Sequence, residues 1–338
     1  MNEKTIGVGA AVAMALLAGL AGPAAGQERH ALPFPDDMAE TVKDFFSDAT
    51  TGVAGKLPTI AVEAIEAIDA IETQKAKAVL ESICGPDDSQ DVELYDGTLG
   101  PTQDFVAGNE PSTAQFQWNS DLAQKFPAPN ADAGNVSGKR WCTGTMISPN
   151  EMLTAGHCFD QTGNGWRRPR RLIDGQWVII EPNEIASNMH VNFGYQVDKS
   201  TGAVRTPMVF AITALDEYRI GGLDFAIVRI GADGKQAGDV YGVRAVATTD
   251  AANGTPLTVI QHPAGNPKKI EAGPLDFLID GLLHYGDLDT QGGSSGSGVL
   301  DPAGALVGVH VMGGCVDSGI GHNKAVSIMA IRAASNRL

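Results

Sequence analysis

The sequence predicts an all-β domain over residues 98–338, built as a barrel or a sandwich pair, behind an acidic helical segment. Three observations indicate this class: short β-type runs alternate with Gly, Pro, Asn and Asp, helical periodicity is weak before residues 328–336, and no repeat of fixed period occurs. The clearest runs are residues 143–147, 177–180, 225–230, 257–261 and 306–311. With 43% hydrophobic residues and 41 Gly among 338 residues, the composition excludes a disordered tail, a collagen and a coiled coil.

Residues 1–26 are expected to form a secretory signal peptide. Lys4 lies in a short polar start, an apolar run extends from Ile6 to Leu20, and small residues continue to Gly26. A membrane anchor is the alternative, but the apolar run is shorter than the roughly 20 residues that cross a bilayer. We therefore expect a secreted or periplasmic protein with no membrane attachment after cleavage, in a compartment where disulfides persist.

Residues 27–97 form an acidic segment with one helical pattern. This segment holds 16 acidic and 5 basic residues, whereas residues 98–338 hold 23 and 18. Apolar residues spaced by three and four follow Pro58, at positions 60, 61, 64, 65, 68 and 71, and Gly85-Pro86 ends the pattern. The segment is interpreted either as a helix that packs on the next domain or as the propeptide of a zymogen.

The stretch from Gly292 to Val299 contains the candidate nucleophile, Ser295. Its small residues suit either a flexible linker or a tight bend that presents a hydroxyl and free amide donors, and its apolar flanks favour the bend. A serine hydroxyl becomes a nucleophile only when an imidazole takes its proton and a carboxylate orients that imidazole. The sequence should therefore also supply one histidine and one aspartate.

His157 is the candidate imidazole. It follows Ala155-Gly156 at the end of a β-like hairpin, and Cys142 and Cys158 bracket that hairpin. In an exported protein these cysteines can close a disulfide loop that fixes the histidine. A zinc site is disfavoured because neither H-E-x-x-H nor paired C-x-x-C occurs.

The stretch around His157 resembles the T-A-G/A-H-C signature of trypsin-like (chymotrypsin-fold) serine proteases, and residues 293–299 resemble their G-x-S-G-[GS]-x-V signature. The exported bacterial branch that includes the glutamyl endopeptidases is the closer match. The resemblance implies two antiparallel six-stranded barrels that divide near residues 235–245, with the active site between them.

The same resemblance assigns the catalytic roles. The family order of His, Asp and Ser matches Asp224, which opens an apolar run, over Asp216, Asp233 and Asp239, which lie in polar or turn-like contexts. His157 is then the general base and acid, Asp224 orients it, and Ser295 forms the acyl-enzyme. The oxyanion hole is expected from the main-chain N–H groups of Gly293 and Ser295.

Two patterns for the substrate pocket conflict. Asp289, six residues before Ser295, matches the aspartate by which trypsin-like enzymes hold Arg or Lys, whereas Thr290 and His310 match the pocket of glutamyl endopeptidases. Opposite charges in one small pocket would pair with each other. We favour a preference for Glu or Asp, because the flanking residues resemble that branch over a longer stretch.

The sequence also bears on activation and on the two remaining cysteines. Ser294 stands where digestive enzymes carry the aspartate that pairs with a newly cut N-terminus, so that activation contact lacks its acceptor. Cys84 and Cys315 either form a second disulfide or are free thiols, and an even count of four cysteines favours the disulfide.

The sequence therefore predicts a secreted serine endopeptidase, expected to be a monomer that acts on proteins or peptides without a cofactor or metal. A net charge of −16 argues against nucleic-acid binding. Two alternatives remain. One is a protease-like scaffold without turnover, and the other is an α/β-hydrolase-type esterase that uses Ser294 with Asp301 or Asp317 and His322.

Overall fold

The protein is described here by a computed structural model. The structure describes residues 82–161, 166–231, 234–315 and 320–338. Every described residue belongs to one compact unit of the chain. The predicted signal peptide and the predicted helix over residues 60–71 lie outside the described residues.

The described part is mostly β-structure, with short helices between strands. Its strands are β1 Gln90–Asp91, β2 Thr113–Trp118, β3 Ala131–Asp132, β4 Arg140–Met146, β5 Glu151–Thr154, β6 Arg170–Ile173, β7 Gln176–Ile179, β8 Met189–Phe193, β9 Met208–Arg219, β10 Phe225–Gly231, β11 Pro256–Gln261, β12 Lys269–Pro274, β13 Phe277–Ile279, β14 Leu282–Tyr285, β15 Gly298–Leu300, β16 Leu306–Met312 and β17 Asn323–Ser327. Its helices are α1 Gln103–Asn109, α2 Leu122–Lys125, α3 Pro182–Ser187, α4 Ala237–Tyr241 and α5 Ile328–Ala334, with 3₁₀ turns at Glu110–Ser112, Gly156–Phe159 and Pro263–Gly265.

Six strands close into an antiparallel barrel in the order β10-β5-β4-β2-β8-β9. Hydrogen bonds between β9 and β10 complete the ring, and two β-bulges in that pair accommodate the curvature of closure. Aromatic side chains fill the interior, since Phe116, Trp118 and Phe159 are fully buried. The predicted all-β class and the first predicted barrel are thereby confirmed.

The second sheet has eight strands in the order β1-β12-β11-β15-β16-β17-β14-β13 and does not close. This differs from the expected second six-stranded barrel. At one edge of this sheet, β1 pairs with β12 at Lys269 and Ile270, so β1 and not β13 occupies that part of the β12 edge. A bridge between Ser82 and Thr290 also binds the described start of the chain to this half of the fold.

A three-stranded sheet, β3-β6-β7, combines one strand before the β4-β5 hairpin with two strands after it. Four arginines occur at positions 167, 168, 170 and 171, and the last two lie on β6. Arg167 and Arg170 form ion pairs with Asp132, and Arg171 forms one with Glu184. Within the described residues, none of the helices has the length and hydrophobicity that a membrane span requires.

Candidate active site

His157 sits in the 3₁₀ turn directly after β5 of the barrel. The turn is possible because residue 156 is glycine: an added Cβ would lie 1.8 Å from the main-chain oxygen of Arg219 and 3.0 Å from that of Phe225. A disulfide between Cys142 and Cys158 joins β4 to the residue after the histidine. The β9-β10 hairpin and the disulfide together fix the position of the imidazole.

Asp224 directly precedes β10 and holds the imidazole with both carboxylate oxygens. Nδ1 of His157 is 2.6 Å from Oδ2 of Asp224, and the main-chain N–H of His157 donates to Oδ1 at 2.9 Å. The side chain of His157 is 22% exposed and that of Asp224 is 18% exposed, so the pair is partly accessible to solvent. A carboxylate at Nδ1 holds the tautomer that leaves Nε2 free to accept a proton.

The loop before β15 presents Ser295 and bends at two glycines. Gly293 and Gly296 have φ of +105° and +88°, a region that disfavours residues with a Cβ. Space also requires glycine at position 296, because an added Cβ would lie 2.0 Å from Oγ1 of Thr154 and 2.2 Å from the main-chain oxygen of Thr143. The loop therefore interlocks with the barrel hairpin that leads to the histidine.

Thr143 fastens this loop to the barrel. Its hydroxyl donates to the main-chain oxygen of Gly293 and its main-chain N–H donates to that of Ser295, both at 2.8 Å. The carbonyl oxygen of Ser295 also lies 4.0 Å from Sγ of Cys158, the neighbour of His157. Ser295 and His157 are thereby held on adjoining segments, although they are separated by 138 positions in the sequence.

Besides Oγ of Ser295, three polar atoms of this site have no hydrogen-bond partner among the described residues. They are Nε2 of His157 and the main-chain N–H groups of Gly293 and Ser295. Oγ of Ser295 is therefore not hydrogen-bonded to the imidazole in this structure. In general, the distance between a catalytic serine and its histidine often shortens to a hydrogen bond only when substrate binds. The two N–H groups are therefore free to donate to an acceptor beside Ser295.

His310 lies on β16, whose backbone pairs with the Ser295 loop. The N–H of Gly296 donates to the carbonyl oxygen of His310 at 2.7 Å, and the N–H of His310 donates to that of Ser297 at 2.8 Å. Nδ1 of His310 is 2.6 Å from the hydroxyl of Tyr285. Burial, followed by the charge of His157, lowers the pKa of His310 to about 3, so its imidazole is neutral at ordinary pH.

Tyr285 received no role from the sequence, and no local signal marks it. It lies on β14, two strands away from β16, so only the sheet order brings its hydroxyl to His310. Burial raises the pKa of Tyr285 well above its usual value, and the phenol therefore keeps its proton. A phenol that donates to Nδ1 leaves the hydrogen of the neutral imidazole on Nε2.

Asp289 and Thr290 contact the described start of the chain. The main-chain N–H groups of Cys84 and Asp88 donate to the two carboxylate oxygens of Asp289, at 2.6 and 3.3 Å. Thr290 exchanges main-chain hydrogen bonds with Ser82 at 3.0 and 3.1 Å. A disulfide between Cys84 and Cys315 anchors the same segment to the sheet.

The sequence of residues 142–309 matches the trypsin-like peptidase domain family. The chain contains a trypsin-like peptidase domain. It is similar to the secreted RxLR effector protein 73 of Plasmopara viticola, with 26% identity over 75% of this chain and 56% of that protein. It is also similar to exfoliative toxin A of Staphylococcus aureus, with 27% identity over 55% of this chain and 61% of the toxin. The aligned region thus spans less than two thirds of either relative.

Among solved structures, a Glu endopeptidase has 19% identity and a TM-score of 0.42, with 74% of this chain and 96% of that chain covered.

The fold of the peptidase domain excludes the α/β-hydrolase alternative. Its sheets are antiparallel, and Ser294 is followed by the strand β15 rather than by a helix. The hydroxyl of Ser294 is fully buried and accepts from the N–H of Gln291 at 3.1 Å.

A zinc site at the hairpin of the peptidase domain is also excluded. Cys142, His157 and Cys158 lie close enough together to hold an ion. However, both cysteines are joined in a disulfide, and a disulfide sulfur is not the thiolate that zinc requires.

Proposed function

We propose that the protein is a secreted serine endopeptidase whose catalytic residues are His157, Asp224 and Ser295. One observation carries the proposal. The carboxylate of Asp224 binds both the ring and the main-chain N–H of His157, beside a loop with a serine and two N–H groups that have no partner in the described part of the chain. This combination of base, orienting group, nucleophile and anion-binding donors is the set that acyl transfer needs.

In the proposed reaction, Nε2 of His157 takes the proton of the Ser295 hydroxyl while the oxygen attacks the peptide carbonyl carbon. The carbonyl oxygen becomes negative and accepts from the N–H groups of Gly293 and Ser295. The imidazolium, held by Asp224, then gives its proton to the leaving amine, which departs as the new N-terminus. Water, deprotonated by the same imidazole, hydrolyses the acyl-enzyme and restores Ser295.

We further propose that the residue on the amino side of the cleaved bond is Glu or Asp. The pocket histidine, His310, is neutral and directs an N–H from Nε2 when Tyr285 donates to Nδ1. Such an N–H is a donor suited to a substrate carboxylate. Asp289 is the competing feature, and both of its oxygens accept from the backbone at Cys84 and Asp88, so its charge serves the fold instead of a basic substrate.

Export and activation belong to the same proposal. Residues 1–26 would direct secretion, in agreement with the relative named a secreted effector protein, and the acidic segment would be removed in part from a zymogen. Mass spectrometry of the protein recovered from the culture medium and from cells tests this. A mature N-terminus near Gln27 or later supports export, and an intact Met1 in every fraction contradicts it.

The enzyme proposal is tested by labelling with a fluorophosphonate and by digestion of a mixed peptide library. We expect one adduct, on Ser295, and cleavage after Glu or Asp. Ser295→Ala should abolish both, with a loss of about a million-fold in kcat. The matched control is Ser294→Ala, which removes the neighbouring hydroxyl and should keep the adduct on Ser295. A folded protein without label or cleavage favours the scaffold alternative, and cuts after Arg or Lys support Asp289.

A further inference from the structure

A cluster of carboxylates lies where the start of the described chain meets the second sheet. One oxygen from each of Asp87, Glu271 and Asp289 lies within 4.8 Å of the other two. Asp87 is exposed, whereas Glu271 and Asp289 are buried, with exposed fractions of 0% and 3%. The cluster thus has an open side at Asp87 and a buried floor at Glu271.

Glu271 is the unusual member of the cluster. Its Oε1 accepts from the main-chain N–H of the next residue, Ala272, at 3.0 Å, but its Oε2 is buried and has no partner among the described residues. A buried carboxylate oxygen without a hydrogen bond or a cation costs several kcal/mol in general. At least one of its carboxylate oxygens lies within 4.8 Å of an oxygen of Asp87 and of Asp289.

A buried charged side chain elsewhere in the described fold has a partner of opposite charge, whereas the carboxylates of this cluster do not. The buried ammonium of Lys268 pairs with Glu110 at 2.6 Å. In contrast, none of the three clustered carboxylates forms an ion pair with any described residue.

A fourth oxygen lies on the same face of the sheet. Gln261 on β11 is a diagonal neighbour of Glu271 on β12, because Gln261 pairs with Lys269 and Val259 pairs with Glu271. The amide nitrogen of Gln261 donates to the carbonyl oxygen of Asp289 at 2.7 Å, while its amide oxygen is buried without a partner among the described residues. Carboxylate and amide oxygens without nitrogen or sulfur are the donor set of a hard divalent cation.

We propose that Asp87, Glu271 and Asp289 bind a calcium ion that joins the start of the described chain to the second sheet. Calcium suits the site better than magnesium, because calcium takes about six to eight oxygens in irregular geometry whereas magnesium demands near-ideal octahedral order. The exposed side at Asp87 gives the ion its entry and leaves positions for water. The ion neutralises the buried Glu271 and fixes the segment that carries Asp87 and Cys84.

Isothermal titration and thermal unfolding with CaCl2 test the proposal on the full chain, and neither depends on peptidase activity. We expect one site per chain and a melting temperature that rises by several degrees at about 10 mM CaCl2. Asp87→Asn and Glu271→Gln should each weaken calcium binding by at least about tenfold. The matched control is Asp239→Asn, which removes one exposed carboxylate on α4 and should leave the affinity unchanged.

Two results would overturn the site. One is a wild-type protein that gives no binding heat in the titration and no rise in melting temperature at about 10 mM CaCl2. A rise of the same size with MgCl2 counts against the site in the same way, because it would indicate general charge screening. The other is an unchanged calcium affinity in Asp87→Asn. That variant changes an exposed side chain and so folds even if the buried substitution at Glu271 does not.

Discussion

The Nδ1 atom of His157 lies 2.6 Å from Oδ2 of Asp224, and the main-chain N–H of the same histidine occupies the other carboxylate oxygen. The Asp224 carboxylate therefore fixes both the ring and the backbone of His157. A substitution at Asp224 should change which nitrogen of His157 bears the hydrogen, because only an acceptor at Nδ1 selects the tautomer with a free Nε2.

Asp224→Asn is expected to lower kcat by about 10⁴-fold while the fold is retained, because an amide that donates to Nδ1 stabilises the wrong tautomer. Hydrolysis of a peptide substrate measures the effect. Asp216→Asn is the control, since Asp216 lies eight positions earlier and pairs with Arg229 instead of a histidine. Activity of Asp224→Asn within tenfold of wild type would contradict the role of the carboxylate.

Gly296→Ala is expected to reduce stability by at least about 2 kcal/mol, because the new Cβ meets Thr154 and the backbone of Thr143 and φ is +88°. Urea denaturation measures the change. Gly108→Ala is the control, because Gly108 lies in α1 with no atom near its Cβ position and should be neutral or stabilised by up to about 1 kcal/mol. Equal midpoints for the two variants would argue against the interlocked loop.

Tyr285→Phe is expected to lower kcat/KM for a substrate with Glu before the cleaved bond by about tenfold or more. The variant leaves Nδ1 of His310 unpaired, at a general cost of about 1–3 kcal/mol, and removes the donor that holds the imidazole tautomer. A matched substrate with Leu at that position should be much less affected. Tyr241→Phe serves as control, because the Tyr241 hydroxyl forms no hydrogen bond to a described residue. Equal losses for both substrates would mean a purely structural role for Tyr285.

The acid side of the stability curve should report the buried imidazole of His262. Burial, followed by the charge of Lys268, lowers the pKa of His262 to about 3. Between that value and the unfolded pKa of about 6.5, the unfolded chain binds a proton that the folded chain does not, so stability falls as pH falls.

His262→Gln should therefore flatten this dependence by about 1.4 kcal/mol per pH unit between about pH 6 and pH 4. Urea midpoints at several pH values measure it. His310, whose pKa is also lowered to about 3, stays in both proteins and supplies an internal control for the remaining slope. An unchanged slope in the variant would show that His262 does not carry the shift.

Much of the fold followed from short-range pattern. The alternation of β-type runs with turn residues predicted the strands, and most of the clearest runs coincide with strands of the barrel or the second sheet, among them β10, β11 and β16. Whether each sheet closes into a barrel could not be predicted from this pattern. It depends on which strand reaches a free edge, and at β12 that strand is the two-residue β1, which is too short to leave a periodic signal.

The sequence by itself determined the chemical groups of the candidate site. Gly293, Gly296 and Gly156 can be recognised in it because close backbone approach tolerates no Cβ, and the histidine, aspartate and serine appear beside them in a fixed order. Only the tertiary structure decided what surrounds these groups. It turned Asp289 toward the backbone of Cys84, brought Tyr285 to His310 and gathered the carboxylates of Asp87, Glu271 and Asp289. These contacts join residues from distant parts of the chain, and the pairing of strands, which local sequence does not encode, sets them.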